Sequence, residues 1–437
     1  MNQQNAHLLN RTAMKKNFAL FWLLLFGIIA NAQQRDTLKL TITEINKHLV
    51  PDTVYYFSSR VDTIALQTVR TDTSKIVRDV NVQDLEESRY KITFKGSARV
   101  NGYYDFAGLT STEGFMPYEI PVGVEDIEGL TSVYIGARQS RLGVEGTANT
   151  KVGKIRTYIE VDFASKTESY LRLRHAFAEW NYLKLGYTWS AFMDNTSLPQ
   201  TVEFEGPNSS LSKRHGVIRY ERIIVKKSIL GISLESPKAD YTNPADSILF
   251  TSPDQRNLDL AGRYKYFDKW GHVQLAGIVR KITFVQQEST DTQYGWGVLI
   301  SAQLLINSKH QLSSQYSTGN GIAYYSVGLS NRQLDAVYNP TNNTMELKTL
   351  SGGFINYAFK PFSNLVFSAI AGISRVECKE FEPGSAFMSS QYYGVNTFYN
   401  PIETISLGLE VTYGTRKNVD NQIGDATRIS MLAKFDF

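Results

Sequence analysis

The last twelve residues, Ala426-Thr-Arg-Ile-Ser-Met-Leu-Ala-Lys-Phe-Asp-Phe437, decide the fold. Ile429, Met431, Ala433, Phe435 and Phe437 share one face, and Arg428, Ser430, Lys434 and Asp436 share the other, with Leu432 the exception. A repeat of two is the side-chain period of a strand. A soluble sheet can alternate in this way, but a strand closing an outer-membrane barrel has to, because lipid lies on one side and a polar lumen on the other. A terminal Phe after such an alternation is similar to the assembly signal of bacterial outer-membrane proteins, which makes the barrel assembly machinery an expected partner.

Working outward, the same pattern recurs. In 91–106, Ile92, Phe94, Ala98, Val100, Tyr104 and Phe106 oppose Lys91, Thr93, Lys95, Ser97, Arg99, Asn101 and Asp105. Comparable stretches lie at 132–147, 154–163, 170–180, 183–192, 216–223, 229–236, 257–266, 272–284, 294–305, 310–318, 347–359, 365–376, 390–399, 405–414 and 426–437. The pattern predicts an all-β transmembrane antiparallel barrel of about 16 strands, with 14 or 18 the neighbouring even counts. The connections alternate between short ones, such as 149–153, 268–271 and 401–403, and long ones, such as 107–131, 193–215, 237–256 and 319–346. Only 164–169 breaks the rule. Outer-membrane barrels have short periplasmic turns and longer external loops, an asymmetry a soluble sandwich has no reason to show. Aromatics gather at both ends. Tyr90, Trp180, Tyr182, Phe267, Trp270, Phe359, Phe362, Tyr399 and Phe437 stand by the short turns, and Tyr104, Tyr187, Trp189, Phe192, Phe284, Tyr294, Trp296 and Tyr413 by the long loops.

The first residues read as a secretory signal over 1–32. Lys15 and Lys16 precede the apolar run Phe18–Ile29, and Ala30-Asn31-Ala32 is a small-x-small cleavage site. That run is too short for a membrane-spanning helix, which needs about 20 residues. Residues 33–88, rich in Thr, Asp and Val and without a heptad, read as a periplasmic extension, and 89–437 as the barrel. A net charge of +4 over 437 residues and the lack of a basic tract argue against a nucleic-acid partner. A lone Cys378 excludes an internal disulfide, and no His pair stands at ligand spacing, so no metal and no cofactor are expected. No catalytic constellation is visible either. By strand phase His175 sits with Leu173 and Phe177 toward the outer interface, and His215, His272 and His310 have no evident partners, so the chain does not read as an enzyme.

Phase also sorts the charges. Arg99, Arg141, Arg156, Arg172, Arg174, Lys184, Arg219 and Arg263 fall on the luminal face, with Lys265 and Arg280. A cation facing lipid at the bilayer midplane would cost about 2–4 kcal/mol. The inward carboxylates include Glu145, Glu160, Asp162, Glu221, Glu235, Asp259 and Glu410. Two readings stand side by side: pairs that stiffen the wall, or an arginine ladder that guides anions, since Arg holds carboxylate or phosphate bidentately. The connection 193–215 is the expected constriction loop, carrying Asp194, Glu203, Glu205, Lys213 and Arg214.

Ser140-Arg141-Leu142-Gly143, Gly186-Tyr-Thr-Trp-Ser-Ala-Phe-Met-Asp194, Leu198-Pro199, Phe204-Glu-Gly-Pro207, Arg219-Tyr220, and Glu410 with Tyr413-Gly-Thr-Arg416 resemble the DcaP-like porins. The resemblance spans about 90–437. It implies a homotrimeric outer-membrane diffusion channel in contact with lipid and lipopolysaccharide, passing small organic anions such as dicarboxylates. Such relatives often carry a coiled-coil-like segment before the barrel, whereas 33–88 has no heptad. The phosphate-selective porins are the nearest competing family, and a non-conducting structural or adhesion barrel is the alternative of another class.

Overall fold

The computed structural model describes residues 90–106, 109, 114–123, 131–164, 170–241, 255–285 and 290–437. All belong to one unit, formed by Asn81–Phe437 with Phe57–Ala65; the other, Met1–Tyr56 with Leu66–Val80, falls outside the described residues. The expected signal peptide, and all of the expected extension up to residue 88, therefore also lie outside them.

The described residues form nineteen strands: β1 Tyr90–Asp105, β2 Ser132–Gly136, β3 Arg141–Thr150, β4 Gly153–Asp162, β5 Arg172–Trp180, β6 Leu183–Trp189, β7 Arg214–Val225, β8 Ser228–Glu235, β9 Asp259–Asp268, β10 Gly271–Val285, β11 Thr290–Leu305, β12 His310–Asn320, β13 Ala336–Asn339, β14 Thr344–Leu347, β15 Thr349–Phe362, β16 Leu365–Val376, β17 Phe387–Ile402, β18 Ile405–Asn418 and β19 Ile423–Asp436. β13 and β14 form a separate hairpin inside one loop. The remaining 17 make one antiparallel sheet. Within it β3 pairs with the first half of β1 and β2 with the second half, so the two lie end to end as one broken strand. That leaves sixteen spans. The sheet closes where β1 meets β19, with Ser97 opposite Asp436 and Asp105 opposite Arg428.

The closing strand behaves as its sequence dictates. Ile429, Met431, Ala433 and Phe435 face outward, and Arg428 and Ser430 are buried in the lumen. Leu432 also points inward, where it packs with Ala358, Val366 and Phe398 against Val202. The exception to the alternation is thus a dry spot made for a loop. Backbone bonds between Gly96 and Phe437, 3.0 Å in each direction, finish the seam. A Cβ on Gly96 would stand 2.5 Å from the Phe437 ring, so glycine there makes room for the terminal aromatic.

Turns at 151–152, 181–182, 226–227, 269–270, 306–309, 363–364 and 403–404 mark one end of the barrel. The connections 106–131, 163–171, 190–213, 236–258, 321–348 and 377–386 mark the other. Apolar side chains such as Ile159, Leu185, Ile218, Ile300 and Val395 lie exposed on the outer wall, as a lipid-facing surface requires. Tyr90, Trp180 and Phe362 are exposed at the turn end, and Tyr294 and Trp296 at the loop end.

Two expectations need correction. Phe192 and Phe284, assigned to the outer girdle, are fully buried inside, and Trp189 reaches a luminal cavity. Phe192 lies in the connection that enters the barrel, whereas Phe284 stays on β10 in the luminal phase of Arg280, and Trp189 ends β6. His175 does not face the outer interface. The register between β4 and β5 shifts at Glu160/Val161, opposite Arg174. This bulge gives β5 one extra residue, so Arg174 and His175, neighbours in sequence, are both buried on the luminal side. His175 Nδ1 lies 3.0 Å from Thr188 Oγ1. Gly186, with φ of 130°, accommodates the bulge: a Cβ there would meet the Ala176 carbonyl oxygen at 2.2 Å.

Candidate functional site: the luminal loop and the arginine wall

A barrel of 16–18 strands encloses a water-filled channel unless something enters it. Here the connection 190–213 does. It leaves β6 and reaches β9, β10 and β11, where Asp194 is moored. The carboxylate accepts from Thr196 N at 3.1 Å, capping the 3-10 turn Asn195–Ser197. It also meets His272 Nε2 at 2.7 Å, Ser301 Oγ at 2.8 Å and Lys265 Nζ at 3.1 Å. Burial would raise this carboxyl, but the His272 bond and the Lys265 charge outweigh it and hold Asp194 well below the usual range. Gln274 and Gln315 donate to the carbonyls of Met193 and Asp194 at 2.8 Å each. Phe192, Met193 and Leu211 pack on Ala261, Ala276, Ile278 and Leu299, together with Ile322, Tyr325 and Leu329 of the loop 321–348. Burying a side chain of this kind contributes about 1.5–3 kcal/mol.

The loop then runs along β17, β18 and β1. Glu410 accepts from Val202 N at 3.0 Å and Glu203 N at 3.3 Å. Arg99 donates to the Val202 carbonyl at 2.6 Å. Glu203 does not face the pore. It is 1% exposed, accepts from Phe115 N at 3.0 Å and Glu205 N at 3.2 Å, and lies beside Glu410. Burial, and then the Glu410 charge, push its carboxyl up to about 8. On the way back Asn208 bonds Ser390 at 2.8 Å, and Lys213 O accepts from Ser190 N at 2.9 Å. The loop thereby covers the wall from β9 round to β1 and leaves the facing wall, β3 to β7, open.

That open wall carries the arginines. Phe204, at the loop's tip, has the guanidinium carbons of Arg99, Arg172 and Arg174 at 5.6 Å from its ring centroid and that of Arg141 at 5.7 Å. Each such contact is worth about 0.5–2 kcal/mol, depending on desolvation. Asp162 receives Arg172 bidentately, at 2.9 and 2.8 Å, and Arg174 at 2.7 Å; Arg174 also reaches Glu160 at 2.6 Å. The side chains of Arg141 and Arg214 make no hydrogen bond or ion pair to a described residue, and Arg214 lies over the Trp189 ring at 4.4 Å. Lys213 stands 5.1 Å from the Tyr324 ring, and burial draws its amine down to about 8.

Two cavities share Arg141 in their walls. The one on the loop side, about 590 Å³, is lined by Arg141, Arg172, Arg174, Lys213, Arg214 and Phe204 among others. The one on the turn side, about 220 Å³, is lined by Arg99, Arg141, Lys95 and Lys434 with Glu160 and Asp436. Seven cationic and two acidic side chains line the larger one among the described residues. Setting Asp162 and Glu160 against them still leaves an excess of three positive charges, so the cavity attracts anions.

The remaining predicted residues lie apart from Phe204. Arg156 bridges Glu145 at 2.7 Å and Glu179 at 2.8 Å, and Lys184 reaches Glu179 at 2.7 Å. Arg263 pairs with Glu221, and Arg219 lies 3.6 Å from Glu235. These are the wall-stiffening pairs. His272, His215 and His310, read as having no evident partners, do have them: Asp194, the Ser236 carbonyl at 2.9 Å and the Tyr357 hydroxyl at 2.5 Å. Sequence reasoning missed Tyr324 and Arg332, which enter from the loop 321–348, and gave no role to Phe204. An aromatic residue in a polar connection was the one signal for Phe204; for the loop residues there was none.

The chain matches the DcaP outer membrane protein family over residues 63–437. Among solved structures, the outer membrane channel DcaP of Acinetobacter baumannii is similar at 23% identity with a TM-score of 0.69, covering 80% of this chain and 98% of that one. An anion-selective porin from Comamonas acidovorans aligns at 10% identity with a TM-score of 0.53, covering 80% and 100%. The outer membrane protein OmpT of Vibrio cholerae aligns at 11% identity with a TM-score of 0.51, covering 81% and 99%. No curated protein matches.

Proposed function

Because this chain belongs to the DcaP outer membrane protein family, and is an outer-membrane channel by family and fold, we propose that it is a diffusion porin preferring small organic anions, with dicarboxylates the expected solutes. One observation carries this reading. The loop 190–213 is moored to one half of the wall, and the passage it leaves runs past the other half, where cations outnumber carboxylates around Phe204. In a wide aqueous pore, mobile ions screen fixed charges over about 8 Å at physiological salt. A passage narrowed by a loop keeps the solute within that distance, so the fixed charges act on it. The short-turn end would face the periplasm and the long loops the outside. Residues 1–32 would be removed as a signal peptide, the barrel would be inserted by the assembly machinery among lipid and lipopolysaccharide, and three copies would associate.

Reversal potential in a planar bilayer under a potassium chloride gradient tests the reading. The purified protein should reverse on the anion side, and Arg172→Ala with Arg174→Ala should move the potential toward cation preference, more at low salt. Removing both arginines also frees Asp162 and Glu160, so the excess of positive charge around the cavity falls from three to one. A wild-type pore that reverses on the cation side, or a folded double variant with unchanged selectivity, refutes it.

A further inference from the structure

We propose that Arg141 is the transfer residue of the pore, the single guanidinium that hands an anion from the loop-side chamber to the turn-side chamber past Phe204. This rests on the anion-pore reading and adds an order to it. Arg141 is the one described residue that lines both cavities. Its neighbours are committed elsewhere. In the β3–β4 register it stands opposite Asp162, yet Arg172 and Arg174 take both oxygens of that carboxylate. Glu160 is shared between Arg174 at one oxygen and the Tyr158 hydroxyl at the other, 2.6 Å each. Arg99 is held by Asn101 and the Val202 carbonyl. Of the four arginines around Phe204, Arg141 is the one whose side chain has no hydrogen bond or ion pair to a described residue, and its guanidinium lies over the Phe204 ring. A side chain pinned by a bidentate pair cannot follow a passing carboxylate, whereas an unpaired one can swing about its stem. Phe204 lines the loop-side cavity alone whereas Arg141 lines both, so an anion moving between them meets Arg141.

Succinate, added to one side of a single reconstituted channel and then to the other, tests this through interruptions of the chloride current. In the wild type, a field driving the anion through shortens each block, because the anion exits by the far mouth. Arg141→Gln is expected to lower the block rate from both sides by about tenfold, the loss of one charge-assisted partner. Lys213→Gln should lower it only from the loop side, and Lys434→Gln only from the turn side. Arg141→Lys keeps the charge and so the reversal potential, but the same field should now lengthen each block, since the anion is retained in the chamber it entered. Shortened blocks in both folded Arg141 variants, or a rate lowered from one side only, overturn the transfer role while leaving anion selectivity standing. A wild-type pore that succinate interrupts from neither side overturns the anion-pore reading, and the transfer role with it.

Discussion

Replacing Asp194 by Ala should unmoor the first half of the luminal loop and enlarge the pore without unfolding the barrel. The carboxylate is 2% exposed and is shared by His272, Lys265 and Ser301 from three strands, with Thr196 on its own turn. Taking it away removes the hydrogen bonds and strands Lys265 and His272 beside each other. Breaking a buried charge pair by deleting one partner costs about 3–5 kcal/mol. Every 1.4 kcal/mol is about a factor of ten, so detachment of the segment should become roughly 100- to 4,000-fold more frequent. The wall bonds are untouched, and Glu410 still holds Val202 and Glu203 further along. Single-channel recording should therefore show a larger mean conductance with added open-channel noise, while the folded barrel keeps its heat-modifiable mobility on a gel. Asp194→Asn, which can still cap Thr196 N, should show a smaller effect. Wild-type conductance and noise in a folded Asp194→Ala channel would refute the idea that this carboxylate holds the loop in the lumen.

Three further outcomes are expected. Glu203 has its carboxyl raised to about 8, against an unperturbed 4.5, so the stability it contributes is fully present below 4.5 and is lost as pH rises through 8. Glu203→Gln should remove that decline, and thermal melts that fall equally between pH 6 and 9 in variant and wild type would contradict it. Epitope tags at 244 or 420 should be reachable on intact cells and tags at 308 or 362 should not, because the latter two lie at the short-turn end; labelling at 308 with none at 420 inverts the orientation. Phe437→Asp should lower the yield of folded barrel, since the terminal ring packs across Gly96 at the seam, and an unchanged yield would show that the last residue is not read during assembly.

What was legible in the sequence follows from what a strand in a membrane has to do. Ile92 and Phe94, or Ile429 and Met431, had to alternate with polar partners because lipid and water lie on opposite faces, and the alternation fixed the spans to within a few residues. The same logic assigned Arg99, Arg141, Arg172 and Arg174 to the inside. It failed where the rule of two is broken by geometry. The bulge at Arg174 turns His175 inward, and no residue type announces that. It also failed where the lumen is not water. Leu432, Val366 and Phe398 face inward because Val202 comes to meet them, a contact between residues far apart in the chain. Phase can say that a cation is luminal but not who holds it. Arg156 and Arg172 look alike in sequence. One bridges two glutamates in the wall, and the other stands beside Phe204.

The seam between β1 and β19 joins residues 97–105 to residues 428–436. Until the final strand arrives, both edges of the sheet expose unpaired N–H and C=O groups, and hydrocarbon offers them no partner. A chain lacking only β19 would therefore not be a slightly weaker barrel but an open ribbon with two edges, suited to pairing with other copies of itself. The closing contacts are also those of greatest sequence separation, which form slowest. Closure is thus all or nothing, decided by whether β19 pairs with β1.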